Sequence, residues 1–279
     1  MHTLEKVGAA IRHSRWLEHA DGLWSSVRPV YDALIPLLFR NGVERIINGS
    51  DRVRLLPRHR GVPEVYEPDV WHHLMQSVRP GDVVADVGAY IGLYTLAMGR
   101  RVRPGGRVIA FEPEPDTFVD LERHVALNSL SDVVEPYEAA VGVKDGLVAF
   151  APGRGSESRV ITDSGTLAEK LNVRAVRLDS HLGDGRLDIL KIDVEGYEEA
   201  VLRGAERTLR DPRRRPRAIY IEVHPYAWSD QGTTSGSLLA LLLGWGYGVF
   251  LLTGVPVEKI EQYGEILALD PDAGDPAFV

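Results

Sequence analysis

The segment from Asp86 to Gly92 holds the first residues whose types and spacing suit binding chemistry. An apolar run ends in Asp86, Gly88 and Ala89 follow, and a helical pattern begins near Gly92. Glycine permits a tight turn and the close approach of a ligand, and the start of a helix offers unpaired N–H groups. The spacing is not the dinucleotide-binding pattern G-x-G-x-x-G. An acid at this point suits an ammonium or sulfonium group better than a pyrophosphate.

A second acid, Glu112, follows the apolar run at 108–111 and lies 20 residues beyond Gly92. In an open α/β sheet, an acid at the end of the second strand suits the two hydroxyls of a ribose. The glycine loop alone would be weak evidence. Together, the loop and this acid predict a site for a nucleoside-containing cofactor.

Two further apolar runs end in groups that could do chemistry. Asp193 and Glu195 follow the first run, and Glu222 and His224 stand at the end of the second. Alternate residues of a strand point to the same side, so Glu222 and His224 are expected to face the same way. Because parallel strands bring their carboxyl ends to one edge of a sheet, we expect these side chains near Asp86.

The elements that must position these residues alternate between strand and helix. Nearly continuous apolar runs predict buried strands at 83–87, 107–111, 133–137, 188–192, 218–223 and 248–252. Helical runs are predicted at 93–101, 116–128, 197–209 and 235–243. The alternation predicts an α/β fold with a doubly wound, mostly parallel sheet and an antiparallel last strand at 266–269. Strands at 147–151 and 173–178 flank a Gly/Ser-containing loop and predict a small inserted β-hairpin.

Residues 1–65 are predicted to form an N-terminal extension, and residues 66–279 the main domain. Apolar residues between positions 4 and 38 recur at helical spacing, interrupted by two prolines. Short β-like runs at 43–47, 53–56 and 62–66 follow, with the hairpin signal Asn48-Gly49 between the first two. A helix is predicted at 69–78. The extension is expected to pack on the main domain, or to serve as a lid or as the surface of a homodimer.

The composition excludes several classes of function. The chain has no cysteine, which excludes a disulfide framework, a thiolate nucleophile and Cys-ligated metal centres. A formal net charge of −8 argues against a general nucleic-acid binder. No apolar run approaches the ~20 residues that a membrane-spanning helix needs, and charged residues interrupt the first 20 positions. We therefore expect a cytoplasmic protein with neither a nucleic acid nor a membrane as partner.

Five segments together resemble the FkbM family of S-adenosylmethionine-dependent methyltransferases. They are DVGAYIGLYT (86–95), FEPEP (111–115), VRLDS (176–180), LKIDVEGYE (190–198) and IEVHP (221–225). The resemblance runs from about Tyr66 to Leu252, and LKIDVEGYE is its most specific part. It implies a class I, Rossmann-like sheet of seven strands and methyl transfer to the hydroxyl of a small molecule, such as a sugar, polyketide or other natural product. Most members have Asn, and class I loops in general have Gly, where this chain has Tyr90.

The resemblance also implies roles for single residues. The loop at 86–92 would line the methionine end of S-adenosylmethionine, Glu112 would hold the ribose, and residues 138–140 would approach the adenine. Asn128 is expected near this site, or else as a cap of the preceding helix. The residues expected to bind the cofactor are Asp86, Gly88, Ala89, Tyr90, Gly92, Glu112, Asn128, Ala139, Ala140, Asp193 and Glu195.

Methyl transfer to a hydroxyl requires an aligned acceptor, the exclusion of water and a base. His224 is the first candidate for the base, because an imidazole with a pKa of ~6.5 suits proton removal near neutrality. Asp193 is the second, and Glu222 is expected to face the acceptor. These side chains and Glu195 could also hold a Mg-like ion. The sequence favours their binding of cofactor, because no metal-specific spacing is present.

Three other functions remain open from the sequence. An NAD-dependent oxidoreductase could use the same fold, but the first glycine of its fingerprint is missing and Asp86 disfavours it. N-methylation is a rival to O-methylation, although residues 193–196 stand where the N-methyltransferases often carry a (D/N)PPY-like motif. A non-catalytic cofactor-binding or scaffold protein is the third.

Overall fold

The structure is a computed structural model that describes residues 39, 41–153, 158–161 and 170–273. The chain divides into two units, a smaller one of Met1–Val43 and Leu55–Val62 and a larger one of Glu44–Arg54 and Pro63–Val279. In the smaller unit, Pro57–His59 forms a short 3-10 helix. The predicted N-terminal helices, and with them the predicted homodimer surface, lie outside the described residues. The predicted boundary after residue 65 stays a prediction.

The strands, in chain order, are β1 (Val43–Ile47), β2 (Asp51–Leu55), β3 (Val83–Val87), β4 (Arg107–Phe111), β5 (Val134–Tyr137), β6 (Ala140–Val141), β7 (Gly146–Ala151), β8 (Arg159–Val160), β9 (Leu171–Val176), β10 (Ile189–Ile192), β11 (Ala218–Val223), β12 (Gly248–Phe250) and β13 (Gly264–Leu269). The helices are α1 (Pro68–Ser77), α2 (Leu93–Arg101), α3 (Pro115–Leu127), α4 (Leu178–Leu182), α5 (Glu198–Gly204), α6 (Glu206–Arg210) and α7 (Ser235–Gly244), and two 3-10 helices span Pro225–Gln231 and Pro271–Ala273. Within the described residues, none of the helices has the length and apolar character needed to cross a bilayer.

The central sheet of the larger unit has seven strands in the order β12-β13-β11-β10-β3-β4-β5. Neighbouring strands from β11 through β5 run parallel, and β13 pairs antiparallel with β11 and β12. The predicted doubly wound sheet with an antiparallel last strand is therefore confirmed. All six residues of β11 are buried, as expected of a strand covered on both faces. Because β4 and β10 flank β3 on opposite sides, the strand order reverses at β3, where open α/β sheets bind ligands.

A second sheet has four strands in the order β6-β9-β7-β8. β7 pairs antiparallel with both β8 and β9, and β6 runs parallel to β9. The predicted strands at 147–151 and 173–178 thus belong to a separate small sheet. The second of them ends earlier than predicted, at Val176, because α4 begins at Leu178.

The hairpin predicted at Asn48-Gly49 is confirmed. β1 and β2 form a two-stranded sheet, and the two turn residues have φ of +48° and +74°. The strand predicted at 62–66 is wrong, because the Asn48 side chain bonds both backbone groups of Tyr66 at 2.7 and 2.9 Å. The single helix predicted at 197–209 is also wrong, since it divides into α5 and α6 at Ala205.

A buried ion pair stabilises the amino edge of the central sheet. Arg217 Nη2 lies 2.6 Å from Asp82 Oδ2, and the two side chains are 10% and 6% exposed. The same guanidinium donates to the carbonyl oxygen of Ser77 at 2.5 Å. Removing one partner of such a pair leaves an uncompensated buried charge.

We expect Arg217→Ala to lower the free energy of unfolding by about 3–5 kcal/mol, because Asp82 then stays buried without its counter-charge. Arg210→Ala is the matched control, since Arg210 is 63% exposed and pairs with Glu206 within one helix. The control should change stability by less than about 0.5 kcal/mol. Urea unfolding followed by circular dichroism measures both values. Equal effects of the two substitutions would contradict a stabilising role for the buried pair.

Candidate active site

A cavity that is partly open to solvent lies at the carboxyl edge of the central sheet, around the ends of β3, β4 and β10. Segments after four strands and parts of the small sheet build its wall. The lining residues are Val87, Gly88, Tyr90, Glu112, Pro113, Glu114, Ala139, Ala140, Val141, Phe150, Ser158, Arg159, Val160, Asp193, Val194, Glu195 and Tyr197.

The structure brings most of the predicted cofactor residues to this wall. Those that line the cavity are Gly88, Tyr90, Glu112, Ala139, Ala140, Asp193 and Glu195. Asp86, Ala89, Gly92 and Asn128 lie elsewhere. That the lining residues bind a cofactor stays a prediction, to which the geometry of each residue contributes.

Gly88 lies at the point where two strand-end loops touch. Its φ is +83°, and a Cβ built on it would overlap the carbonyl oxygen of Asp193. The N–H groups of Gly88 and Ala89 donate to the carbonyl oxygen of Phe111 at 3.0 and 2.9 Å. Only glycine therefore allows the loops after β3 and β10 to come this close.

Tyr90 is held in the left-handed region, with φ of +49°. Gly and Asn adopt this conformation more readily than Tyr does. The Tyr90 N–H donates to Glu112 Oε2 at 2.8 Å, and the Glu114 N–H donates to Glu112 Oε1 at 2.9 Å. The unusual backbone at Tyr90 thus helps to fix the Glu112 carboxylate in the cavity wall.

Glu112 is 6% exposed, and burial raises its pKa to about 7. The two backbone hydrogen bonds favour the carboxylate and limit this rise, whereas the charges of Glu114 and Asp193 add to it. The group thus changes charge near neutral pH.

Asp86 lies behind the cavity wall, which corrects the expectation that it lines the cavity. It is fully buried, and its Oδ2 accepts a hydrogen bond from Thr95 Oγ1 at 2.5 Å. On the neighbouring strand, Lys191 is its partner in register. Burial raises the pKa of Asp86, and the positive charge of Lys191 opposes this rise. Asp86 thus links β3 to α2.

Gly92 and Asn128 also have positions other than those expected. A Cβ on Gly92 would lie 2.5 Å from Leu121 Cδ1, so this glycine allows the start of α2 to pack against α3. Asn128 ends α3, where its side chain bonds both backbone groups of Arg54 at 2.8 and 2.9 Å and the His124 carbonyl oxygen at 2.8 Å. The structure therefore supports the capping alternative for Asn128.

A buried lysine accompanies Asp193. Lys191 Nζ lies 3.2 Å from Asp193 Oδ2 and 4.6 Å from the centre of the Tyr94 ring, and its side chain is 5% exposed. Burial raises the pKa of Asp193 to about 7, although the Lys191 charge opposes that rise. The carboxylates of Asp193, Asp86 and Glu222 keep Lys191 protonated by raising its pKa against the effect of burial.

His224 is almost fully buried behind Glu195. Its Nδ1 lies 2.7 Å from Glu198 Oε1, and its Nε2 lies 3.6 Å from Glu195 Oε2 and 3.7 Å from Glu222 Oε1. Burial alone would lower its pKa, but the three carboxylates outweigh burial and raise the pKa to about 10. With this pKa the ring is protonated on both nitrogens at neutral pH, which disfavours His224 as the base.

Among the described residues, two groups of Asp, Glu and His side chains with ligand-like spacing lie at this edge. Asp193, Glu195 and His224 form one group, and Glu67, Glu222 and Glu265 form the other; within each, one ligand atom per residue lies within 4.8 Å of the others. Glu222 also accepts a hydrogen bond from the Tyr263 hydroxyl. Burial would raise the pKa of Glu222, but His224 and Tyr263 outweigh it and lower the pKa to about 2.

The family model described as Methyltransferase FkbM domain matches residues 86–249, well over half of the chain. The chain belongs to the FkbM methyltransferase family. The five sequence segments that suggested this family all lie within the matched residues, and four of them contribute residues to the cavity or to the cluster around His224.

Curated relatives of this family member come from bacteria, fungi and archaea. The chain is 29% identical to 31-O-demethyl-FK506 methyltransferase FkbM of Streptomyces tacrolimicus, covering 62% of this chain and 75% of the relative. It is 29% identical to Methyltransferase 1 of Beauveria bassiana, covering 44% of this chain and 58% of the relative. It is 25% identical to Hexuronic acid methyltransferase AglP of Haloferax volcanii, covering 57% of this chain and 62% of the relative. The chain therefore spans less than two thirds of the last two relatives.

Two of the solved structures that resemble this chain carry methyltransferase names. A methyltransferase FkbM from Methylobacillus flagellatus is 16% identical, with coverage of 73% of this chain and 50% of that chain and a TM-score of 0.45. A SAM-dependent O-methyltransferase from Thermotoga maritima is 14% identical, with coverage of 82% of this chain and 77% of that chain and a TM-score of 0.43.

Several residues of the FkbM site were missed from the sequence. Lys191 carried a signal, as a charged residue within an otherwise apolar strand, and Glu198 stands at the end of the LKIDVEGYE segment. Phe150 and Arg159 carried none, because only the pairing of the small sheet brings them to the cavity.

We expect Gly88→Ala to destabilise the FkbM domain more than Gly81→Ala. Both residues have φ above +80°, but a Cβ on Gly81 meets no atom within 4 Å, whereas one on Gly88 would overlap Asp193. The overlap should add about 1–3 kcal/mol to the conformational cost that the two share. Urea unfolding of both variants measures the difference. A Gly88→Ala variant no less stable than Gly81→Ala would refute the close contact of the two loops.

Proposed function

We propose that the chain transfers a methyl group from S-adenosylmethionine to a hydroxyl oxygen of a small-molecule acceptor. The observation that carries this proposal is the placement of the Gly88 loop, the Glu112 carboxylate and Asp193 on one cavity at the reversal of the strand order. Membership of a methyltransferase family supports methyl transfer over the NAD-dependent alternative.

The residues of the cavity fit this cofactor. The Glu112 carboxylate suits the ribose hydroxyls, because it is fixed by two backbone N–H groups and keeps lone pairs for further donors. Ala139, Ala140 and Val141 offer a small apolar surface for the adenine. The Gly88 loop, which has no side chain at its closest point, leaves room for the methionine end.

Bound S-adenosylmethionine would supply a methyl group on a sulfonium sulfur. The leaving group, S-adenosylhomocysteine, is a neutral thioether and needs no further activation. The chain must orient the acceptor, exclude water and accept the hydroxyl proton. Asp193 is the better placed of the two candidate bases, because it lines the cavity and Lys191 holds its Oδ2. Both ring nitrogens of His224 face carboxylates instead, so His224 and Glu222 position their neighbours.

The names of relatives support a hydroxyl-bearing natural product or sugar as the acceptor. One relative acts on 31-O-demethyl-FK506, a name that specifies an oxygen lacking its methyl group, and another acts on hexuronic acid. The acceptor proposed for this chain is a small molecule of one of these classes.

We expect the affinity for S-adenosylhomocysteine to rise about tenfold between pH 6 and pH 8. Ribose hydroxyls donate to the carboxylate form of Glu112, whose pKa is about 7, so about a tenth of the protein is competent at pH 6 and most of it at pH 8. Calorimetry at the two pH values measures the change, with NAD as the comparison ligand.

The Glu112→Gln variant is the control, because it should bind more weakly at pH 8 and show little of the rise. The same pH dependence in wild type and variant would remove Glu112 from the cofactor site. Binding of NAD without binding of S-adenosylhomocysteine would contradict the proposed cofactor.

We expect Asp193→Asn to lower the rate of methyl transfer by about 10²–10⁴-fold, because the amide cannot accept the hydroxyl proton. The assay incubates labelled S-adenosylmethionine with a panel of hexuronic acids, other sugars and polyketides, and locates the methyl group by mass spectrometry and NMR. Asp184→Asn, at a 97% exposed side chain, should leave the rate unchanged. A methyl group on nitrogen would refute O-methylation, and an unchanged rate in Asp193→Asn would exclude this base.

A further inference from the structure

The wall of the cavity combines several carboxylates with a single positive charge. Among the described residues that line it, the acids are Glu112, Glu114, Asp193 and Glu195, and Arg159 is the one cation. We propose that Arg159 binds a carboxylate of the acceptor, so that the chain methylates a hydroxyl of an organic acid. The methylation rests on the proposed function, whereas the binding of the carboxylate does not.

Arg159 carries a charge without a counter-charge. In the part of the chain that the structure describes, its guanidinium has neither an ion pair nor a hydrogen bond, although the residue is half-buried. An arginine stays protonated throughout the pH range in which proteins fold. Because a charge that is partly removed from water is costly unless it is paired, a ligand that brings a negative group would be stabilised here.

The acids of the same wall are held by other donors. The Tyr226 hydroxyl donates to Glu195 Oε2 at 2.6 Å, and the Thr117 hydroxyl donates to Glu114 Oε2 at 2.6 Å. The other two acids are held by backbone N–H groups and by the buried lysine of β10. The donors of Arg159 thus remain for a ligand, even though four carboxylates share its cavity.

Hydrogen bonds fix the backbone on both sides of Arg159. Gln231 Nε2 donates to the carbonyl oxygen of Val160 at 3.0 Å, which links β8 to the 3-10 helix after β11. On the other side, the Ser158 hydroxyl accepts a hydrogen bond from the Gly153 N–H at 2.8 Å. The strand that carries the guanidinium is therefore held before a ligand binds, which reduces the entropy lost on binding.

A carboxylate suits this guanidinium better than a phosphate does. The planar guanidinium can bind either group through two parallel hydrogen bonds. A phosphate monoester carries a charge of about −1.5 to −2 at neutral pH, whereas a carboxylate carries one negative charge. Because four acids already line the cavity, the singly charged carboxylate meets less repulsion.

Arg159 lies on the Glu195 side of the cavity. Burial and the hydrogen bond to Glu195 raise the pKa of Tyr226, and the charge of Arg159 opposes this rise. The positions proposed for the adenine, the ribose and the methionine are formed by other residues. A carboxylate at Arg159 and a hydroxyl at Asp193 would hold the acceptor at two points. The acids of the wall would repel the carboxylate from a reversed position, so the pair of contacts would select one hydroxyl.

Binding to the full chain saturated with S-adenosylhomocysteine tests this site. The probes are hexuronic acids and polyketide carboxylic acids, each paired with its primary amide, and binding is measured by calorimetry and ligand-observed NMR. We expect at least one acid to bind about tenfold or more tightly than its amide, because the amide brings no charge to Arg159. Arg159→Gln should lose this preference. Arg174→Gln, at an exposed position on β9 of the same small sheet, is the matched control and should keep it.

Initial rates separate binding from chemistry. For an acid that is methylated, Arg159→Gln should raise KM about tenfold or more with little change in kcat, because the carboxylate contact is the same in the ground state and the transition state. The affinity for S-adenosylhomocysteine should stay as in wild type. A fall in that affinity, with unchanged binding of 5′-methylthioadenosine, which lacks the amino-acid carboxylate, would assign Arg159 to the cofactor and overturn the proposal.

Three other results would overturn the proposal. They are the absence of binding by every acid of the panel at millimolar concentration, equal binding of acid and amide by the wild type, and a preference for the acid that survives in Arg159→Gln. Wild-type protein that methylates neutral acceptors alone would refute the carboxylate contact and leave the proposed function standing. Protein that binds the acids through Arg159 but transfers no methyl group would confirm the contact and contradict the proposed function.

Discussion

The contact between Gly88 and the main chain of Asp193 is the constraint on which the site depends. β3 and β10 are neighbours in the sheet, and the loops that leave them meet where no side chain fits. The chain continues from β3 to β4 on one side and from β10 to β11 on the other, and this reversal of the strand order is where open α/β sheets bind ligands. The Gly88 loop also bonds to Phe111, and Tyr90 bonds to Glu112. Any side chain at position 88 would therefore displace both walls of the cavity.

Burial and pairing give the acids of this edge different properties. Burial dominates at Glu112 and Asp193 and raises the pKa of both, whereas His224 and Tyr263 lower the pKa of Glu222. Buried carboxylates are costly unless cations or donors accompany them. Lys191 and the donors around Glu198 meet that requirement. The excess of acid in the composition thus has a local counterpart, in which each acid differs from its neighbours in charge and accessibility.

The sequence predicted the central sheet well, because strands buried on both faces are continuous apolar runs with clear ends. It could not tell which strand-end acid faces the cavity. Asp86 and Glu112 both stand near the end of an apolar run, but Asp86 is opposite Ala110 in register, two residues short of Glu112, and Thr95 holds it beneath α2. The position of Asn128 follows from topology. α3 leaves the carboxyl edge after β4 and returns to the amino edge before β5, so its 13 residues place its end about 20 Å away. The residues from the small sheet depend on long-range pairing, which no local pattern shows.

A crystal structure of the protein with S-adenosylhomocysteine tests the central claim most directly. The account predicts the ribose hydroxyls within hydrogen-bond distance of the Glu112 carboxylate, the adenine against Ala139 and Ala140, and the sulfur on the side of Asp193. A ligand bound away from the Gly88 loop, or at the arginine-rich amino edge of the sheet, would contradict it.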